Sequence, residues 1–370
     1  MIPVNEPLIG AREQEYVLDC MRSGWISSEG SYVDRFERAF AAYIGCSYSV
    51  AVCNGTAAVE VGLYAAGVGQ DDEVILPTFT IVSCLAAVLR LGAKPVLVDI
   101  EPETWNMDVS QVRDKITART KAIMPVHIYG HPVDMDPLLE IAEEKDLFII
   151  EDAAEAHGAE YKGRKCGSMG HVAAFSFYAN KLVTTGEGGM VLTSDPVMAD
   201  RARSYRNLCF NNKERFLHDD LGYNFRMTSL QAAVGLGQLE RIEQIVARKR
   251  EMGNLYQRLL SDNPGLQLQV EKSWAKTVYW MYCVQLSPSL CKTAQEVMTA
   301  LGKQGIGTRP FFRGLHDQPA LKRRGFIRET GHFPVADKAY KYGFYLPSGL
   351  TLTDEQIATV CKELGAALRA

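Results

Sequence analysis

The sequence lacks most of the features that mark a specialised chain. Its 370 residues hold nine cysteines, from Cys20 to Cys361, but no Cys-x-x-Cys pair, and the count is odd. That pattern argues against a zinc site or a disulfide framework, predicts no metal, and fits reduced thiols in a cytoplasm. No apolar run approaches the ~20 residues that a membrane helix needs. The stretch Met1–Pro7 has no basic segment followed by an apolar one, so no signal peptide is expected. Charge of neither sign dominates: 40 basic residues stand against 44 acidic ones, for a net charge of -4. Because the two signs alternate along the chain, there is no basic stripe for nucleic acid and no polybasic tail for an anionic membrane. Internal repeats and low-complexity tracts are absent too. So are a P-loop and a dinucleotide fingerprint, since the nearest glycine spacing, Gly158 to Gly163, is followed by Arg164 rather than lysine. The expectation is a cytoplasmic protein whose anionic ligands, if any, are held by a local pocket.

What is present reads as an α/β protein. Hydrophobic residues make up 47% of the chain, ordinary for a globular protein, and the length asks for a large domain plus a smaller one. Short apolar runs at Glu73–Pro77, Pro95–Asp99, Ala122–Val126 and Leu147–Glu151 predict buried strands of a mostly parallel sheet. Val172–Phe177 and Met190–Thr193 extend the series. Helical spacing at Ser83–Leu91 and Met135–Lys145 gives the alternating order of a doubly covered sheet. Farther on, Leu236, Leu239, Ile242 and Val246 form one apolar face, which predicts a single long helix over Ser229–Arg250. The boundary between the large domain (1–245) and the small α+β domain (246–370) is expected there.

Ligands of open α/β sheets sit at the carboxyl ends of the strands, so the residues following each strand carry the functional reading. Asp152 follows the Leu147–Ile150 run, where a buried acid needs a partner; it could equally cap a following helix. Lys181 follows the Val172–Phe177 strand among small and apolar neighbours, with no acid in sequence before Glu187. A lysine desolvated in this way is a good amine nucleophile for an aldehyde. Asn54-Gly55-Thr56 stands at a helix start, where free N–H groups suit a phosphate, although Asn54 could be a plain cap. Gly186–Gly189 is a weaker signal of the same kind and could be only a turn between strands. An amine, a carboxylate and a set of phosphate donors that includes Ser176 are what pyridoxal 5′-phosphate (PLP) requires.

At these residues the chain resembles the sugar aminotransferases of the DegT/DnrJ/EryC1/StrS family, within the aspartate-aminotransferase-like fold type I of PLP enzymes. The motifs run nearly end to end: Ser23–Gly30, Asn54–Thr56, Pro77–Thr80, Val126–His131, Glu151–Gly158, Ser176–Lys181, Thr184–Met190, Tyr223–Thr228, Thr308–Phe312 and Leu346–Ser348. The likeness is strongest to members that aminate C4 of GDP-linked 4-keto-6-deoxymannose with L-glutamate, for surface polysaccharide (O-antigen) synthesis.

The resemblance implies that Lys181 holds PLP as a Schiff base and shuttles protons, while Asp152 pairs with the pyridinium nitrogen. It implies that Ser176, Gly55 and Thr56 bind the phosphate and that Glu155 lies near the phenolic oxygen. Asn224 would reach the phosphate of a neighbouring subunit, making the active unit a homodimer that could pair into a tetramer. Trp25, His127, Arg226, Phe311 and His316 would line the sugar-nucleotide side, and His157 reads as structural as readily as catalytic. Departures are Ile81, where an aromatic usually covers the cofactor ring, Thr277-Val278, where a histidine is frequent, and the unusual Arg206–Phe210 segment. They leave open a UDP- or dTDP-linked keto-sugar. A sugar dehydratase would carry histidine in place of Lys181, and a non-catalytic binder would have no need of Lys181, Asp152 and Asn224 together.

Overall fold

The structure is a computed structural model and describes residues 1–211, 213–214, 216–326 and 331–369. Seven strands form its centre: β1 (Tyr48–Val52), β2 (Glu73–Pro77), β3 (Lys94–Val98), β4 (Thr120–Ile123), β5 (Phe148–Asp152), β6 (Val172–Ser176) and β7 (Gly189–Thr193). They lie in the order β1-β7-β6-β5-β4-β2-β3. Every pairing is parallel except those of β7, which runs antiparallel to both β1 and β6. The expected strands are all present, with small shifts at their ends. β2, β6 and β7 are buried at every position, which is why they read as continuous apolar runs rather than alternating ones.

Around this sheet pack α1 (Ala11–Ser23), α2 (Ser31–Ile44), α3 (Gly55–Ala65), α4 (Val82–Arg90), α5 (Met135–Lys145), α6 (Pro196–Arg206), α7 (Ser229–Leu239) and α8 (Ile242–Leu260). The single long helix expected over Ser229–Arg250 is therefore two. α7 starts on a capping box of Thr228 and Gln231, as Ser/Thr-x-x-Gln sequences do. It stops because Arg241 leaves helical geometry, at φ -120° and ψ 19°. The break lets consecutive charged residues reach α1: Arg241 bonds Glu13 at 2.6 Å, and Glu240 accepts the Tyr16 hydroxyl at 2.6 Å. An apolar face at helical spacing cannot reveal such a break, because both segments keep the same face inward.

The expected boundary at 245/246 falls within α8. Beyond it, β8 (Leu266–Leu268), β9 (Tyr282–Leu286), β10 (Arg309–Pro310) and β11 (Gly343–Leu346) form an antiparallel sheet in the order β8-β9-β11-β10. The helices of this part are α9 (Ala294–Lys303), α10 (Pro319–Arg323), α11 (Pro334–Tyr342) and α12 (Asp354–Arg369). It has a core of its own, built on Tyr256, Val284, Leu301, Phe344 and Ile357. Trp280 and Phe311, however, belong to the large core around the seven-stranded sheet. The C-terminal part thus supplies one wall of whatever opens at the sheet's carboxyl edge. No helix among the described residues is long and apolar enough to cross a membrane.

Candidate active site

Alternation along β5 sends consecutive acids to opposite sides. Glu151 is fully buried and accepts N–H groups of Gly167 and Met169 at 2.7 Å, that of Gly170, and His127 Nε2 at 2.9 Å. This many donors hold its carboxyl below the usual carboxylate range despite burial. Asp152 instead lines a cavity of about 690 Å³. Its Oδ1 accepts the Ala154 N–H at 3.1 Å, a cap-like bond, but turns rather than a helix follow it. Its Oδ2 accepts the Cys84 thiol at 2.9 Å.

The same cavity is lined by Gly55, Thr56, Ile81, Ser176 and Lys181. Asn54 does cap α3, its side chain accepting the Ala57 N–H at 2.9 Å, and this leaves the earlier N–H groups of the helix without an intrahelical acceptor. The cap and the anion site are therefore compatible readings of one helix start. Gly55 is required there, because a Cβ would lie 2.6 Å from Ser176 Cβ and 2.8 Å from its hydroxyl. A helix N-terminus and a serine hydroxyl are thereby pressed into one small cradle, the arrangement that binds phosphate.

Lys181 follows β6 in a tight turn, its N–H bonded to Tyr178 O at 2.9 Å. Its Nζ lies 3.5 Å from Glu155 Oε1 and 3.8 Å from the centre of the Trp280 ring. The Trp280 indole N–H donates to Asn180 O at 2.7 Å, which fixes the ring over the amine. The amine thus has an acid beside it in space, although none is near in sequence. Glu155 is pushed up to about 7, chiefly by burial, with Lys181 opposing the rise. Its other oxygen accepts the N–H of Tyr129, a residue in the left-handed region at φ 53°.

Several expected contacts lie elsewhere. His127 is fully buried: Nε2 meets Glu151, and Nδ1 accepts the Val133 N–H at 3.0 Å. Glu151 favours an imidazolium, but the Val133 N–H needs a bare Nδ1, so the ring is neutral with its proton on Nε2. It braces the β5 end and cannot touch a substrate. Phe311 is also buried, packed 5.0 Å from both Trp105 and Tyr129, and its neighbour Phe312 lines the cavity instead. His316 is tied to Thr78 at 2.7 Å and to Asp337 at 2.9 Å, outside the cavity wall. Arg226 bonds Asn207 at 2.6 Å and, with Arg203 and Arg206, lines a separate cavity of about 710 Å³. Trp25 and Asn224 are exposed and border neither cavity. His157 packs against Phe40, Phe175 and Phe177; neither ring nitrogen has a hydrogen-bond partner, and burial pulls it down to about 3. That is a neutral core histidine.

Ile81 is an aliphatic lining residue, and the C-terminal part adds three aromatic ones, Trp280, Phe312 and Tyr345. Sequence reading missed all three as cavity residues. The only signal was the unusual Thr277-Val278 pair just before Tyr279-Trp280.

The model of the DegT/DnrJ/EryC1/StrS aminotransferase family matches residues 7–365. The chain belongs to that family. Similar curated proteins include the GDP-perosamine synthase of Caulobacter vibrioides, 41% identical over 99% of this chain and 98% of that protein. The GDP-perosamine synthase of Escherichia coli O157:H7 is 39% identical over 98% of this chain and 97% of its own length. Among solved structures, the aminotransferase TlmJ from Streptoalloteichus hindustanus superposes with TM-score 0.93 at 31% identity, covering 100% of this chain and 99% of that one. Spr1654 from Streptococcus pneumoniae, in its PLP form, gives TM-score 0.92 at 27% identity, covering 100% and 98%. The fold is accordingly type I of the PLP enzymes, the chain is a sugar aminotransferase, and its cofactor is PLP. The residues present fit that group: an amine at Lys181, a carboxylate at Asp152, and between Gly55 and Ser176 a cradle that any Cβ would fill.

Proposed function

We propose that this enzyme moves the amino group of L-glutamate to C4 of GDP-linked 4-keto-6-deoxymannose, giving GDP-perosamine for surface polysaccharide. The reading draws its support from the two GDP-perosamine synthases that share 39–41% of their residues with nearly the whole chain. The observation that carries the chemistry is the Lys181 amine opposite Asp152 in one cavity. When bound, PLP supplies the aldehyde that takes up amino groups and the ring that draws off electrons from the reacting carbon.

The chain's own residues do the rest. Gly55, Thr56 and Ser176 would hold the phosphate, and Asp152 would keep a proton on the ring nitrogen. Lys181 Nζ would take the α-proton of glutamate and later return a proton to C4 of the sugar. Trp280 and Glu155 flank that amine, 3.8 and 3.5 Å away. Ile81, a lining residue of the cavity, would cover the ring with an aliphatic side chain. Asn224 and the arginine-lined cavity with Arg226 serve the site of a second copy, which makes the working unit a homodimer.

The test is an amination assay with glutamate across GDP-, UDP- and dTDP-linked 4-keto sugars, with product stereochemistry read by NMR. GDP-perosamine as the main product is expected. Turnover confined to a UDP or dTDP substrate would overturn the sugar assignment and leave the aminotransferase intact.

A further inference from the structure

One buried group beside the cavity has no part in the chemistry above. Cys84 lies on the first turn of α4, wholly excluded from solvent. Its Sγ is 2.9 Å from Asp152 Oδ2, and the Thr80 hydroxyl lies 3.6 Å from the same sulfur. Asp152 Oδ1 takes the Ala154 N–H, so each carboxylate oxygen has one donor from the protein. A carboxylate oxygen accepts two hydrogen bonds, and one acceptor position on each oxygen remains available to the cavity. Burial and the adjacent carboxylate both keep the proton on sulfur, so the thiol donates and never competes as an anion.

We propose that Cys84 is a positioning residue: its S–H bond to Asp152 Oδ2, with the Ala154 N–H on Oδ1, fixes the carboxylate plane that meets the cofactor ring. This rests on the reading of Asp152 as the partner of the ring nitrogen. Two points make the placement more than packing. The thiol reaches the acid from α4, the helix whose Ser83 hydroxyl bonds Thr56 at 2.9 Å beside the phosphate cradle. One helix turn therefore braces both ends of the cofactor site. Moreover, nothing else among the described residues donates to Oδ2.

The test uses the full chain free of cofactor, with C84A, C84S and D152N. The S–H stretch of Cys84, isolated as the infrared difference between the unaltered chain and C84S, should lie below that of a free thiol and move up in D152N. Pyridoxamine 5′-phosphate, which lacks the aldehyde and reports non-covalent contacts alone, should bind C84A roughly tenfold more weakly. C84S, which keeps a donor but also loses the sulfur's volume, should recover most of that affinity. An S–H stretch indifferent to D152N, unchanged affinity in C84A, or equal losses in C84A and C84S would each overturn the proposal. If D152N binds pyridoxamine 5′-phosphate and, once loaded with PLP, turns over like the unaltered chain, the reading of Asp152 fails and takes the proposal with it, even with the S–H shift in place.

Discussion

Glu155→Gln should make the cofactor-free enzyme more stable above neutral pH, and more so the higher the pH within the range that Glu155 titrates. The carboxyl is 6% exposed and pushed up from 4.5 to about 7, mainly by burial. Between those limits the folded chain binds more protons at this site than the unfolded one, so stability present below 4.5 is lost as pH rises through about 7. A displacement of that size corresponds to about 3 kcal/mol once the group is fully ionised. The amide is never charged and its oxygen can still accept the Tyr129 N–H, so E155Q should escape this loss. That figure is already net of the Lys181 contact, which opposes the rise. Urea unfolding of both proteins at about pH 5 and about pH 8 measures the difference. The stability gap should open with pH in favour of E155Q. Parallel pH profiles would refute the claim that Glu155 carries a burial penalty.

Other expectations follow from the same geometry. Glu151→Ala strips three backbone N–H groups and His127 of their acceptor in a fully buried place, and should cost about 3 kcal/mol or more by urea unfolding. Gly55→Ala would gain about 1 kcal/mol of helix propensity elsewhere, but here should weaken cofactor binding by about 1–3 kcal/mol through the clash with Ser176, read by equilibrium dialysis. Lys249 is buried in α8 with its amine on Trp280 O at 2.9 Å and on Ser348 O, and burial pulls it down from 10.5 to about 7. The unfolded chain binds the extra proton across that range, so stability rises with pH from about 7 toward about 10. Lys249→Met should flatten that rise, and an unchanged profile by chemical denaturation would contradict it.

The sheet was legible because a strand covered on both faces has to be apolar throughout, as Glu73–Pro77 shows with its buried glutamate tied to Arg119. Lys181, Asp152, Gly55, Thr56 and Ser176 were legible because strand ends and helix starts fix where side chains converge. The rim residues were not. Phe311 and Phe312 are adjacent and chemically alike, and only backbone direction decides which faces the core. His127 follows a strand end as a ligand-binding residue would, yet its partner Glu151 sits on the far side of the sheet. Glu155 beside Lys181, and Trp280 above it, are meetings of segments far apart in sequence. No local pattern announces them.

The most direct measurement is borohydride reduction of the PLP-loaded enzyme followed by peptide mass spectrometry. A pyridoxyl mass is expected on Lys181 alone, and none in Lys181→Ala. A label on any other lysine of the unaltered chain, or none at all, would contradict it.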